Sequence, residues 1–273
     1  MIDERQADVA EAQRLLAAAQ RDGVVSLPEL IAADLCALGA ALQSMFDELV
    51  WRSWVALPDS VRDEWATASR TGLVCRRLLD PPAPVKGADD ALAARVVPAL
   101  ALIMAARSHP AFIAVGSAAG NQRGAPRMYG IADTVRGLRA VLVEHASAER
   151  IGLGTGERLA LPPALDRERA GDLHQLYQYL LVSPERAVRV LSTWLTTSPG
   201  GNNAEGDIRT VDVFRHQEGA DLIRDRLSVT VDPSGSTRIM CEFGGNEPQS
   251  PPGYEPKHIP GLLTEMLLIR TRP

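Results

Sequence analysis

The sequence predicts an α+β fold with two quasi-repeated halves built around a mostly antiparallel sheet, and three observations carry that prediction. An amphipathic helix that runs through a Ser/Pro stop into antiparallel strands occurs twice, over 93–143 and again over 185–243. The later strands alternate apolar and polar residues with a period of two, as a sheet with one buried face requires. With 273 residues the chain is also long enough to bury a core without a metal or disulfide staple.

Residues 7–20 are rich in Ala, Leu, Gln, Glu and Arg and predict a helix that stops at Asp22-Gly23. This reads as an extra N-terminal helix over 1–22, leaving one domain over 23–273 with halves 23–160 and 161–273. Residues 23–27 predict a short strand, and Pro28-Glu29 then opens a helix carrying Leu35, Leu38 and Leu42 to about residue 50. After Pro58 a helix over 59–69 places Val61 and Trp65 on one face, with Gly72 as its stop. A Pro-rich loop, 80–84, follows.

Over 91–107 a helical stripe of Leu92, Val96, Leu100, Ile103 and Met104 meets Pro98, which either kinks the helix or starts a second one as its first residue. Strands are expected at 112–115 and 128–132, joined by a polar loop over 117–126, and at 138–143, which is apolar on both faces and so central in a sheet. Leu173, Leu176, Tyr177 and Leu180 have the spacing of a helix face. Ser183-Pro184-Glu185 is a strong helix start, with cap, first residue and acidic first turn in place; Val188, Leu191 and Leu195 form the buried stripe. Strands over 208–214, 227–231 and 237–243 follow, the last two joined by a turn at Asp232-Pro233-Ser234-Gly235. A helix over 259–268 closes the chain.

The net charge of −5 and a pI near 5.6 leave no basic face for nucleic acid, and Arg76-Arg77 reads as a solvated helix end. Cys36, Cys75 and Cys241 lie in apolar runs and read as small buried hydrophobes of a reducing compartment. The N-terminus lacks the pattern of a signal peptide and no run of about 18 apolar residues occurs, so a cytoplasmic protein without membrane insertion is expected.

Motifs that carry chemistry are weak throughout. Gly152-Leu153-Gly154-Thr155-Gly156-Glu157 lacks the strand and helix context of a dinucleotide site and the Lys-Ser/Thr of a phosphate loop. His109, His145, His174, His216 and His258 are scattered, and His216-Gln217-Glu218 has no Pro-Cys-x-x-Cys after it. No nucleophile elbow flanks Ser117 or Ser234. The acidic residues Asp89-Asp90 and Glu218, Asp221 and Asp225 read as solvated surface. The expectation is a chain with no catalytic residue, no metal and no cofactor, one that presents loops on a sheet to a partner.

The order of elements is similar to that of the EspG-type cytosolic chaperones of type VII (ESX) secretion systems in actinobacteria. The likeness lies in the strand and helix over 24–42, the helix ending in Arg107-Ser108-His109-Pro110 before a hairpin, and the helix over 186–195 before a Gly-rich break. A late hairpin, Val229-Thr230-Val231-Asp232-Pro233-Ser234-Gly235-Ser236-Thr237-Arg238-Ile239, resembles that family's, except that Ser236-Thr237 separates Gly235 from Arg238. The resemblance spans 24–268. It implies a quasi-twofold mixed fold, a central twisted sheet flanked by helical bundles, no catalysis, and a PE–PPE heterodimer as partner, held by the tip of its PPE subunit. It further implies that the loop between the second and third strands and the face of the sheet make much of the contact, together with part of the C-terminal helical region. In this chain that loop is 117–126, with Gly120, Asn121, Gln122 and Arg123 at its tip and Arg127, Tyr129 and Ile131 beside it. Self-association is compatible with that role. A protein-binding regulatory module of another kind, or an enzyme without a recognisable motif, are the alternative readings of the same residues.

Overall fold

The computed structural model describes residues 4–39, 48–80, 96–118, 126–133, 137–146, 173–196, 207–215, 222–232, 236–244 and 254–269. Their elements are α1 (Glu4–Asp22), β1 (Val24–Ser26), β2 (Leu30–Ile31), α2 (Ala32–Ala37), α3 (Glu48–Val55), α4 (Asp59–Cys75), α5 (Pro98–Ser108), β3 (Ile113–Ala118), β4 (Arg127–Asp133), β5 (Gly137–Ala146), β6 (Leu176–Val182), α6 (Pro184–Thr196), β7 (Asp207–Arg215), β8 (Ile223–Val231), β9 (Thr237–Glu242) and α7 (Ile259–Thr264), which continues as a π-helical turn over Glu265–Ile269. The fold is α+β. Nine strands form one mostly antiparallel sheet in the order β1-β6-β5-β4-β3-β7-β8-β9, with β2 paired beside β1 on β6.

The chain divides into two compact units: Met1–Leu15, Leu27–His109 and Ser147–Tyr179 form one, and Leu16–Ser26, Pro110–Ala146 and Leu180–Pro273 the other. This division differs from the halves 23–160 and 161–273 read from the sequence, because the chain passes between units several times. The repeat survives in the sheet of the second unit. Six consecutive strands run β5-β4-β3-β7-β8-β9, third-second-first against first-second-third of two meanders, so the first strands of the repeats are the neighbours in the middle of the six.

In the second unit α6 starts as its sequence predicts: Ser183 Oγ accepts the Arg186 N–H at 3.2 Å, Pro184 occupies the first turn, and Ala187, Val188, Leu191 and Leu195 are buried. Those side chains, with Ile259, Leu263, Met266 and Leu267 from α7 and its π turn, pack on one face of the sheet against Ala114, Met128, Val141, Val143, Val211, Val213, Leu227, Val229, Ile239 and Cys241. Close approach inside this unit depends on glycine. A Cβ on Gly130 would stand 2.6 Å from the Phe112 ring, and one on Gly116 would stand 3.1 Å from both Pro126 and the Trp194 ring.

In the first unit α4 runs through Gly72 to Cys75 instead of stopping near residue 69. The stop is a Schellman turn: Leu78 N–H donates to Leu73 O and Arg77 N–H to Val74 O, both at 2.9 Å, with Arg77 at φ +57. Arg76, expected as solvated charge, is instead a strut, donating to Glu29 O at 2.9 Å and to Asp34 Oδ2 at 2.6 Å. Asp34 Oδ2 also accepts the Ile31 N–H at 3.2 Å, which ties the first turn of α2 to the end of β2. Cys36 is half-buried and Cys75 exposed, so of the three cysteines only Cys241 is the buried hydrophobe that the sequence suggested.

The segment expected to be helical through Leu173, Leu176, Tyr177 and Leu180 is the strand β6. Tyr177, Tyr179 and Leu181 are buried while Gln178 is exposed, a period of two that the helical spacing of the leucines masked. β6 takes β2 on its early residues (Leu30 opposite Tyr177) and β1 on its late ones (Val25 opposite Leu181). The expected helix over 91–107 begins at Pro98, the alternative the sequence offered; residues 91–95 lie outside the described residues.

Two predictions follow from this packing. Arg77→Gly removes a left-handed conformation from a residue with a Cβ and is expected to raise stability by about 1 kcal/mol, read as a higher urea midpoint at unchanged slope. Burial pushes the Asp34 carboxyl above its ordinary value, against the opposing attraction of Arg76. The folded chain therefore holds that proton to higher pH than the unfolded chain does. The stability this group contributes is full below the ordinary carboxylate range and is lost as pH rises through the raised value. Relative to the parent, Asp34→Asn should gain stability as pH rises from the ordinary carboxylate range through that raised value, read in paired denaturation curves.

Candidate partner interface

The α6–α7 side of the six strands β5-β4-β3-β7-β8-β9 is core, which leaves their opposite face as the surface a partner could meet. Register gives that face a continuous row of residues, one from each strand: Glu144 on β5, Arg127 on β4, Val115 on β3, Asp212 on β7, Arg226 on β8 and Glu242 on β9. The row is nearly symmetric about the Val115–Asp212 pair. A half-turn about that pair carries Arg127 onto Arg226 and Glu144 onto Glu242, and it carries Ile113 onto Thr210, Tyr129 onto Ser228, Ile131 onto Thr230, Leu142 onto Met240 and Ala140 onto Arg238.

The two halves of the face differ in exposure. On β4 and β5, Tyr129, Ala140 and Leu142 are fully buried and Glu144 is 2% exposed. On β7–β9, Ile208 is 44% and Met240 36% exposed, Arg238 is exposed, and Thr210, Ser228 and Thr230 are half-buried. Thr210 and Ser228 share a hydrogen bond at 3.3 Å. Arg226 grips Asp212 with two bonds, at 2.7 and 2.9 Å, and Arg224 donates to Glu242 at 2.8 Å. The carboxylates are 14% exposed and the two guanidiniums 38–39%, so the acids lie beneath and the arginines stand towards solvent. No ion pair involves Arg238 among the described residues.

The sequence-predicted interface residues fall into three groups. Gly120, Asn121, Gln122 and Arg123, between β3 and β4, lie outside the described residues. Tyr129 is a core side chain and offers no surface to a partner, a correction that follows from the covering of its half of the face. Arg127 is 18% exposed and pairs with the buried Glu144 at 3.0 Å, while Tyr129 OH stands 3.4 Å from each of them, so this trio is an internal network; Ile131 is half-buried beside it. Sequence reasoning missed Ile208, Arg224, Arg226, Arg238 and Met240. The alternation of Ser228, Thr230, Met240 and Glu242 with apolar residues was visible, but the register that joins them into one patch was not.

Elsewhere the ionisable groups serve structure. Asp225, read as solvated from sequence, is fully buried on the core face, where it accepts hydrogen bonds from Arg215 and, at 2.8 Å, from the Gly244 N–H. Glu218, Asp221, Asp89 and Asp90 lie outside the described residues, as does His216. His174 packs edge-on against Trp65 with ring centres 5.3 Å apart, and His258 Nδ1 accepts the Glu255 N–H at 3.0 Å. Burial, then the nearby Glu265 carboxylate, push the Cys241 thiol up to about 11, which keeps it protonated and unreactive at neutral pH. Among the described residues no group of three or more His, Cys, Asp or Glu side chains is placed to hold a metal ion, and no helix is long and apolar enough to cross a membrane.

No family model matches the chain, and no curated protein sequence matches it.

Because Arg127 is the charge opposite a buried carboxylate, its removal strands Glu144. Arg127→Ala is expected to destabilise the fold by about 3 kcal/mol, seen as a lower melting temperature with no partner present. An unchanged melting temperature would return Arg127 to the role of a contact residue.

Proposed function

We propose that this protein is a non-catalytic chaperone that binds a PE–PPE heterodimer by the tip of its PPE subunit and holds it soluble in the cytoplasm for a type VII secretion system. The observation that carries the reading is the half-open sheet. A rigid scaffold built from two meanders keeps one face of β7–β9 towards solvent, with apolar Ile208 and Met240 among polar side chains, as a reversible protein contact requires. The order of helices and strands supports the same reading through its similarity to the EspG-type chaperones. Residues 119–125, polar in sequence, connect β3 to β4 and carry side chains able to hydrogen-bond a partner.

Co-expression with the PE–PPE pairs of the same genome tests this, with size exclusion and light scattering to weigh what co-purifies. A discrete 1:1:1 complex is expected. A folded, monodisperse protein that retains none of the pairs contradicts the reading and favours a different protein-binding module. Within such a complex, Arg123→Glu should weaken the pair's affinity by about tenfold while leaving the melting temperature of the free protein unchanged.

A further inference from the structure

The symmetric halves of the sheet differ in a chemically consistent way. Where the face is buried, the positions carry Ile113, Tyr129, Ile131, Leu142 and Ala140; at their counterparts on the open half stand Thr210, Ser228, Thr230, Met240 and Arg238. Apolar side chains, all buried except the half-buried Ile131, have given way to hydroxyls, one flexible thioether and one cation. The Arg/Glu positions of the row are kept in both. A surface that must be stable wet and still accept a protein layer needs this substitution: hydroxyl-bearing strands for a floor, a few apolar side chains for contact, and charges at the margin for specificity.

The charges decide the kind of partner. Arg224, Arg226 and Arg238 stand outward, whereas Asp212 and Glu242 are held beneath by the first two, so this face presents guanidinium donors, with Arg238 the one of the three outside an ion pair among the described residues, although the chain as a whole is acidic. Ile208, Thr230 and Arg238 make one cross-strand row, and Thr210, Ser228 and Met240 the next, so Arg238 and Met240 are neighbours on β9 with Ile208 two strands away.

We infer that the outer face of β7–β9 is a docking surface for an acidic amphipathic helix, whose apolar side lies across Ile208 and Met240 and whose carboxylates meet Arg238 and the outer faces of Arg224 and Arg226. This rests on the reading of the protein as a binder of other proteins, and it names the chemistry that the partner brings.

The test uses the full-length protein and two labelled helical peptides of identical leucine stripe, one flanked by Glu and the other by Lys, followed by fluorescence anisotropy. The Glu peptide should bind at least about tenfold more tightly than the Lys peptide, and raised salt should reduce that preference. The exposed double variant Arg238→Glu/Met240→Glu should lose the preference while keeping the parent's melting temperature. Equal binding of both peptides, binding of neither, or a preference that survives in the double variant overturns the inference. A PE–PPE pair that co-purifies with the parent and also with the double variant would leave the chaperone reading standing while removing this face from it. A peptide preference without any bound pair would do the reverse.

Discussion

The ladder between β3 and β7 is the constraint on which the rest of the sheet depends. Six residue pairs, from Ile113 opposite Phe214 to Ala118 opposite Arg209, join two meanders that are otherwise local in the chain. β3 is paired on both sides, so its backbone groups are committed to β4 and β7, and a slip of one residue would turn Ala114, Val211 and Val213 out of the core. Gly130 fits this arrangement because the Phe112 ring leaves no room for a Cβ there, and Gly116 because Trp194 and Pro126 leave only a tight fit for one. Once the ladder is set, the symmetry of the charged row follows.

Electrostatics then separates what holds the fold from what faces outward. Asp34, Glu144 and Asp225 are buried acids, each answered by an arginine: Arg76, Arg127 and Arg215. Such pairs add little net stability over an apolar contact, yet losing one partner is costly, so they penalise wrong register more than they strengthen the right one. On the open half the same residue types are arranged differently. Asp212 and Glu242 neutralise Arg226 and Arg224 from below without covering them, which leaves guanidinium donors available at the surface.

Local signals in the sequence reported local structure well. Ser183-Pro184-Glu185 placed the start of α6, Pro98 offered that of α5 as one of two readings, and alternation revealed β8 and β9, because caps, prolines and period-two patterns act within a few residues. β6 was misread because Leu173, Leu176, Tyr177 and Leu180 satisfy a helical spacing, whereas its strand state depends on β1 and β2, about 150 residues away in the chain. The α4 stop was misplaced for a similar reason: Gly72 lowers helix propensity locally, but it is buried within the helix, and a Schellman turn at Arg77 ends it. The candidate site was half legible. Polar alternation on β8 and β9 gave its face, but the cross-strand row, the burial of Tyr129 and the inward position of Asp225 come from long-range pairing that no single segment encodes.

The central claim is that one half of a symmetric sheet face is core while the other is open and available to a partner, and methionine oxidation tests it directly. Met240 lies on the open half, whereas Met128 and Met266 are fully buried. Under mild peroxide, followed by mass spectrometry of peptides, Met240 should form sulfoxide well before Met128 and Met266 in the free protein and should be protected once a partner is bound. A Met240 that is as slow as Met128 in the free protein would contradict the account.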